Sequence, residues 1–66
     1  MTIGKNIKKY RKAAGLKQWE LAEKLNVLGR MISRYETGQC SLPIDLLKPM
    51  AKALGVTVEA ILEAEY

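Results

Sequence analysis

These 66 residues contain no histidine and a single cysteine. Cys40 alone excludes an internal disulfide, and without histidine the usual zinc ligand sets cannot be assembled. No stretch approaches the roughly 18 consecutive apolar residues that mark a membrane span. The first residues, MTIGKNIKKYRK, lack the apolar run of a secretory signal. Sustained alternation of apolar and polar residues, the mark of a half-buried strand, is missing. So are a nucleophile–base pair, a phosphate-cradling glycine loop and a carboxylate cluster. Glu20 and Glu23 fall on one helical turn and read as surface charge. These absences argue against an enzyme, a metal or cofactor site, a secreted protein and a membrane protein. The expectation is one small reduced cytoplasmic domain over residues 1–66, near the lower size limit for folding without staples.

What is present begins with charge. The net charge is +4, but it is unevenly distributed. Residues 1–34 hold nine Lys or Arg against Glu20 and Glu23, whereas residues 35–66 hold two Lys against five acids. That asymmetry suits a polyanion-binding face with a separate solvated or partner-facing side. Ordinary surface lysine on a small basic protein would give the same totals.

The apolar spacing is helical throughout. Ile3, Ile7 and Tyr10 line a first helix that stops at Gly15. Leu21, Ala22 and Leu25 line a second, beginning near Gln18. Leu28, Ile32 and Tyr35 repeat the spacing in a third, over about Gly29 to Thr37, with Gly38 at its left-handed stop. A fourth runs from about Pro43 to Leu54 and closes at Gly55. Thr57 fits as the cap of a last short helix with Val58, Ile61 and Leu62 inward. Pro49, inside the fourth helix, removes one backbone hydrogen bond and predicts a kink or restart. The connections are two to six residues long, as in a compact bundle.

Helices 2 and 3 are both about eight residues long and almost abut. To share a core they must turn sharply at Asn26, a residue that accepts positive φ. Ala22 allows close approach of the axes, and Val27 and Ile32 plug the angle between them. Small residue, turn residue four on, β-branched residue next, apolar residue five later: this is the helix-turn-helix pattern. The wider set, R-x-x-x-G-L-x-Q-x-E-L-A, then I-S-x-x-E-x-G, then A-x-x-L-x-V, covers Ile3 to about Leu62. In that set the chain resembles the phage repressor and Cro family, the XRE-like regulators. The resemblance implies an all-α, lambda-repressor-like bundle of five helices. It also implies a sequence-specific binder of double-stranded DNA that works as a homodimer, cytoplasmic and associated with the nucleoid when bound.

The outward face of helix 3 can be derived from spacing alone. With Leu28, Ile32 and Tyr35 inward, Gly29, Arg30, Ser33, Arg34 and Thr37 point out, and Arg30 and Arg34 are neighbours four apart. An arginine fork matches the O6 and N7 of guanine in the major groove, and Ser33 can donate to a base edge. A solvated arginine face is the bland reading of the same spacing. The resemblance makes helix 3 the recognition helix. It also places Gln18 on a backbone phosphate, reinforced by Lys17, with Thr37, Gly38 and Gln39 as a second phosphate clamp; such contacts set register without reading sequence. Arg11 and Glu36 match family positions that pair helix 1 to the end of helix 3. Trp19 fits two places: beside a sugar–phosphate strand with its indole N–H donating, or over an apolar patch near helix 1. Cys40, after the recognition helix, reads as a plain loop residue.

Three positions depart from the family pattern. Leu28 replaces the usual Ser or Thr cap, Gly29 stands bare at an outward position often used for base contact, and Leu42 stands where Pro is typical. Val56, Val58, Ile61, Leu62 and Tyr66 offer more apolar surface than one small core needs. Val58, Ile61, Leu62 and Tyr66 are therefore the expected dimer interface. The rival reading is an antitoxin-like protein-interaction module on the same fold, with weak DNA binding.

Overall fold

Four of the five helices end the same way, and those endings set the topology. In the computed structural model, which describes residues 2–63, the order is α1 (Thr2–Ala13), α2 (Gln18–Leu25), α3 (Gly29–Thr37), α4 (Ile44–Leu54) and α5 (Val58–Leu62). Helices α1 to α4 are followed by a left-handed residue: Gly15, Asn26, Gly38 and Gly55 in turn. An amide just beyond each then folds back on the last turn, as in Leu16 N–H to the Arg11 carbonyl at 3.0 Å. Asn26, at φ 57°, is the one non-glycine residue with positive φ among those described. It makes the turn between α2 and α3, and the Val27 N–H bonds the Ala22 carbonyl at 3.0 Å.

The core follows the spacing read from the sequence. Ile7, Leu21, Ile32, Met50 and Ile61 are fully enclosed, one from each helix. Each such side chain contributes about 1.5–3 kcal/mol by leaving water. Around them α1 packs on α3 and α5, α2 packs on α3 and α4, and α4 touches α5. Thr57 caps α5, its hydroxyl oxygen accepting from the Ala60 N–H at 3.1 Å. No described helix is long and apolar enough to cross a membrane.

Several expectations need correction. Ile61 is 0% exposed: it belongs to the core and has no surface to offer a second subunit. Val58 is half-buried against the core, Leu62 is exposed, and Tyr66 lies outside the described residues. Leu28 points out rather than in, at 58% exposure. It is the N-cap of α3, with extended backbone (φ −76°, ψ 144°), so the helical period that aligns Ile32 and Tyr35 does not reach it. Val27 and Met31 supply the apolar contacts instead. Finally, α4 runs through Pro49 as one helix, without a restart. Only one amide is lost there, and Met50, Ala51 and Leu54 beyond it are all buried.

Two polar features of α1 were not legible beforehand. Gly4 lies where α1 crosses the end of α3, and a Cβ there would sit 2.5 Å from the Tyr35 carbonyl oxygen. Asn6, 3% exposed, donates its amide to the Ile61 and Glu63 carbonyls, each at 2.7 Å. A five-residue helix leaves most of its carbonyls without helical partners, and Asn6 supplies an external donor to them.

Candidate nucleic-acid interface

The site is built on the buried end of α3. Glu36 turns inward and is 7% exposed. An isolated carboxylate there would be expensive, and three groups meet it. Arg11 Nε bonds Glu36 Oε2, Arg11 Nη2 bonds Oε1 at 3.1 Å, and Gln18 Nε2 bonds Oε1 at 3.0 Å. The remaining arm of Arg11 donates to the Leu16 carbonyl at 2.9 Å. One guanidinium thus joins α1, the α1–α2 loop and α3, and Gln18 adds the first residue of α2. The paired forks fix the orientation of α3 as well as its position. Among the described residues, no buried side-chain nitrogen or oxygen lacks a partner.

Burying Glu36 against Arg11 has an electrostatic consequence on the other side of α3. Glu36 is the only acid on the helix, and its charge is neutralised inside. The outward face therefore carries Arg30, Arg34 and Thr37, all exposed, with Gly29 and Ser33 half-buried and no carboxylate. Arg30 and Arg34 are about 6 Å apart along the axis at 1.5 Å rise per residue. Lys17 is exposed beside them at the start of α2. The nearest acid on that side, Glu20, accepts the Lys17 backbone N–H at 2.8 Å.

A shallow groove of about 500 Å³ joins the two helix starts. Lys17, Gln18 and Trp19 line it from α2 and its cap, and Gly29, Arg30 and Ser33 from α3. Trp19 is 59% exposed, so it does not cover an apolar patch near helix 1. Cys40 is half-buried and packs against the core.

The expected phosphate contacts fare unequally. Gln18 is at the N-terminus of α2, but one amide N–H is committed to Glu36, leaving its second N–H and its backbone N–H to face an anion. The Gly38 N–H is turned back to the Tyr35 carbonyl at 3.4 Å, which corrects its expected role as a phosphate donor. The Thr37 hydroxyl likewise donates to the Arg34 carbonyl at 3.3 Å and must rotate to serve a ligand. Gln39 is exposed. Among the described residues, no group of His, Cys, Asp and Glu side chains is placed to hold a metal ion.

This arrangement of two short helices over a buried ion pair is that of a known class. The helix-turn-helix family profile matches residues 7–61. The chain belongs to that family, in its phage repressor and Cro (XRE-like) branch. It is 37% identical over 65 residues to the immunity repressor protein of Bacillus phage phi105, covering 98% of this chain but only 45% of that protein. It is also similar to the N-terminal DNA-binding domain of SinR from Bacillus subtilis, with TM-score 0.85, 35% identity, and 98% and 96% of the two chains covered. The structure of SinR, master regulator for biofilm formation, in complex with DNA superposes with TM-score 0.84 and 37% identity over 92% of this chain and 98% of that one.

Proposed function

We propose that residues 1–66 act as the DNA-binding domain of a cytoplasmic transcriptional regulator, a repressor, that inserts α3 into the major groove. The observation that carries this reading is the acid-free outer face of α3, with Arg30 and Arg34 one turn apart and Glu36 neutralised behind them. A helix of this width enters a groove about 12 Å wide and 8.5 Å deep. Arg30 and Arg34 are the base readers, each directed at a guanine edge, and Ser33 between them donates to a base or phosphate. Lys17, Gln18, Thr37 and Gln39 set register on the backbone. The likeness to SinR, solved with DNA, supports the same surface use here. The chemistry is binding and release; no residue is assigned a catalytic role.

Recognition of a two-fold site needs a second copy. The surface we assign to it is the hollow between α4 and α5, lined by Ile44, Leu47 and Val58 with Lys48 and Glu59 at its rim. Ile44 is 85% exposed and Leu62 48% exposed. A two-fold axis through this hollow sets Lys48 of one copy against Glu59 of the other, twice, around an apolar centre. Half-sites then lie about 34 Å apart, one turn of the duplex.

Selection from a random duplex pool, followed by binding across salt, tests the reading. A two-fold symmetric site should be enriched, Arg34→Ala should relax it at one position, and Lys17→Ala should lower the salt slope by about one. Ile44→Asp should abolish cooperative filling of the two half-sites. Salt-sensitive binding with no preferred sequence would sink the proposal.

A further inference from the structure

Gly29 is unexplained by the fold. Glycine is usually demanded either by a left-handed backbone or by close approach of another chain segment. Gly29 meets neither condition: it is not among the positive-φ residues, and a Cβ there would find only Trp19 Cα, at an ordinary 3.9 Å. A side chain would fit, and alanine is the better helix former. What the missing side chain does produce is space. Gly29 and Trp19 line both the groove shared with Arg30 and Ser33 and a second hollow, which Leu28 borders. Trp19 and Leu28 are two of the four large apolar residues that stand exposed. They flank the bare glycine on the same side of the molecule as the arginines.

An apolar recess continuous with a cationic face calls for a ligand that is anionic overall and apolar at one point. Double-stranded DNA offers one such point in the major groove, the C5-methyl group of thymine. We infer that Trp19, Gly29 and Leu28 form a methyl pocket that reads one thymine per half-site, beside the bases read by Arg30 and Arg34. Trp19 is a wall of the pocket, Gly29 its floor and Leu28 its far rim. Specificity at this position comes from shape: cytosine carries hydrogen where thymine carries methyl, and a purine edge there meets an apolar wall without a hydrogen-bond partner. This inference rests on the DNA-reading role proposed above and adds a base to it.

The test uses the duplex obtained by selection, with thymines replaced one symmetric pair at a time by deoxyuridine, which removes only the methyl. One pair should weaken binding by about fourfold per half-site, the value of one buried methyl group. 5-Methylcytosine, paired with guanine, should bind more tightly than cytosine at that same position. Trp19→Ala and Gly29→Ala should each abolish both methyl effects while the melting temperature holds or, for Gly29→Ala, rises. If every deoxyuridine pair is neutral while sequence preference persists, the pocket is overturned and the DNA-reading role stands. The pocket is overturned as well if Trp19→Ala weakens all duplexes equally and leaves the methyl effect intact, since Trp19 then touches backbone. If no sequence is preferred, the broader reading fails first and the pocket with it.

Discussion

Helix α1 fastens two other helices, and it does so by opposite means. At its C-terminal end Arg11 holds α3 through a buried ion pair, with Gln18 joined to the same carboxylate. Nearer its start, Asn6 holds α5 through a neutral amide donated to backbone carbonyls at 2.7 Å. The ionic clasp needs its partner: a buried charge without one is far costlier than a buried amide. The neutral clasp depends only on the position of a backbone. The first is therefore suited to fixing the orientation of the helix that meets DNA, and the second to closing a short helix that cannot cap itself.

Breaking the ionic clasp should have the largest effect. Glu36→Ala strands Arg11 at a site 8% exposed, and loss of one partner of a buried pair costs about 3–5 kcal/mol. In a domain this small that approaches the whole stability, so we expect loss of the cooperative thermal transition. The double substitution Arg11→Met with Glu36→Leu leaves no stranded charge. It should recover a folded domain, measured by circular dichroism, yet bind DNA less selectively because the orientation of α3 is no longer fixed. A double variant as unstable as the single one would show that packing volume, not charge, dominates here.

Gly4 lies under the same contact between α1 and α3. With Cβ 2.5 Å from one backbone oxygen and 2.7 Å from another, neither of which is a flexible side chain, Gly4→Ala must push the helices apart. Overpacking of this kind costs about 1–3 kcal/mol. The melting temperature should fall, with a matching loss of affinity. An unchanged melting temperature would mean that α1 pivots freely, and would weaken the contrast between the two clasps.

The neutral clasp should break more gently. Asn6→Ala leaves the Ile61 and Glu63 carbonyls without this donor, at about 1–3 kcal/mol. The loss should be local: hydrogen exchange should quicken in α5 while the Arg11–Glu36 end keeps its protection. Uniform acceleration across the domain would show that the two ends of α1 unfold as one unit.

Much of this was legible in the sequence because its devices are local. Glycine and asparagine stops, the 3.6-residue apolar period and the Ala22–Asn26–Val27 turn each act within a few residues, and α3 spans Gly29–Thr37 as expected. The pairing of Arg11 with Glu36, 25 residues apart, came only through family resemblance. Gly4 and Asn6 were missed because their partners lie across the fold, Asn6 bonding carbonyls more than 50 residues away. The signal available was faint: a glycine and an asparagine, both poor helix formers, within the first two turns of a lysine-rich helix. Leu28 misled because a capping residue leaves the helical period. Ile61 misled because apolar surplus counted along a sequence does not say which residues fill the centre. For the candidate site, spacing located the arginines of α3, but the recess beside Gly29 needs coordinates.

Helix α5 offers the finest test, since its two ends are tied differently. At its start the Thr57 hydroxyl accepts the Ala60 N–H at 3.1 Å, a contact three residues apart and open to solvent. At its end Asn6 reaches from α1. Thr57→Ala should cost about 1 kcal/mol, the usual value of a lost N-cap, and should shift the melting temperature by only a few degrees. Combined with Asn6→Ala, the two losses should exceed their sum if α5 then detaches, because the five-residue helix has no other polar anchor at either end among the described contacts. Detachment would expose Ile61, which is wholly enclosed in the native domain, and would show as new binding of an apolar dye. Strict additivity without dye binding would mean that the packing of Ile61 alone holds α5, and that the neutral clasp tunes its end rather than secures it.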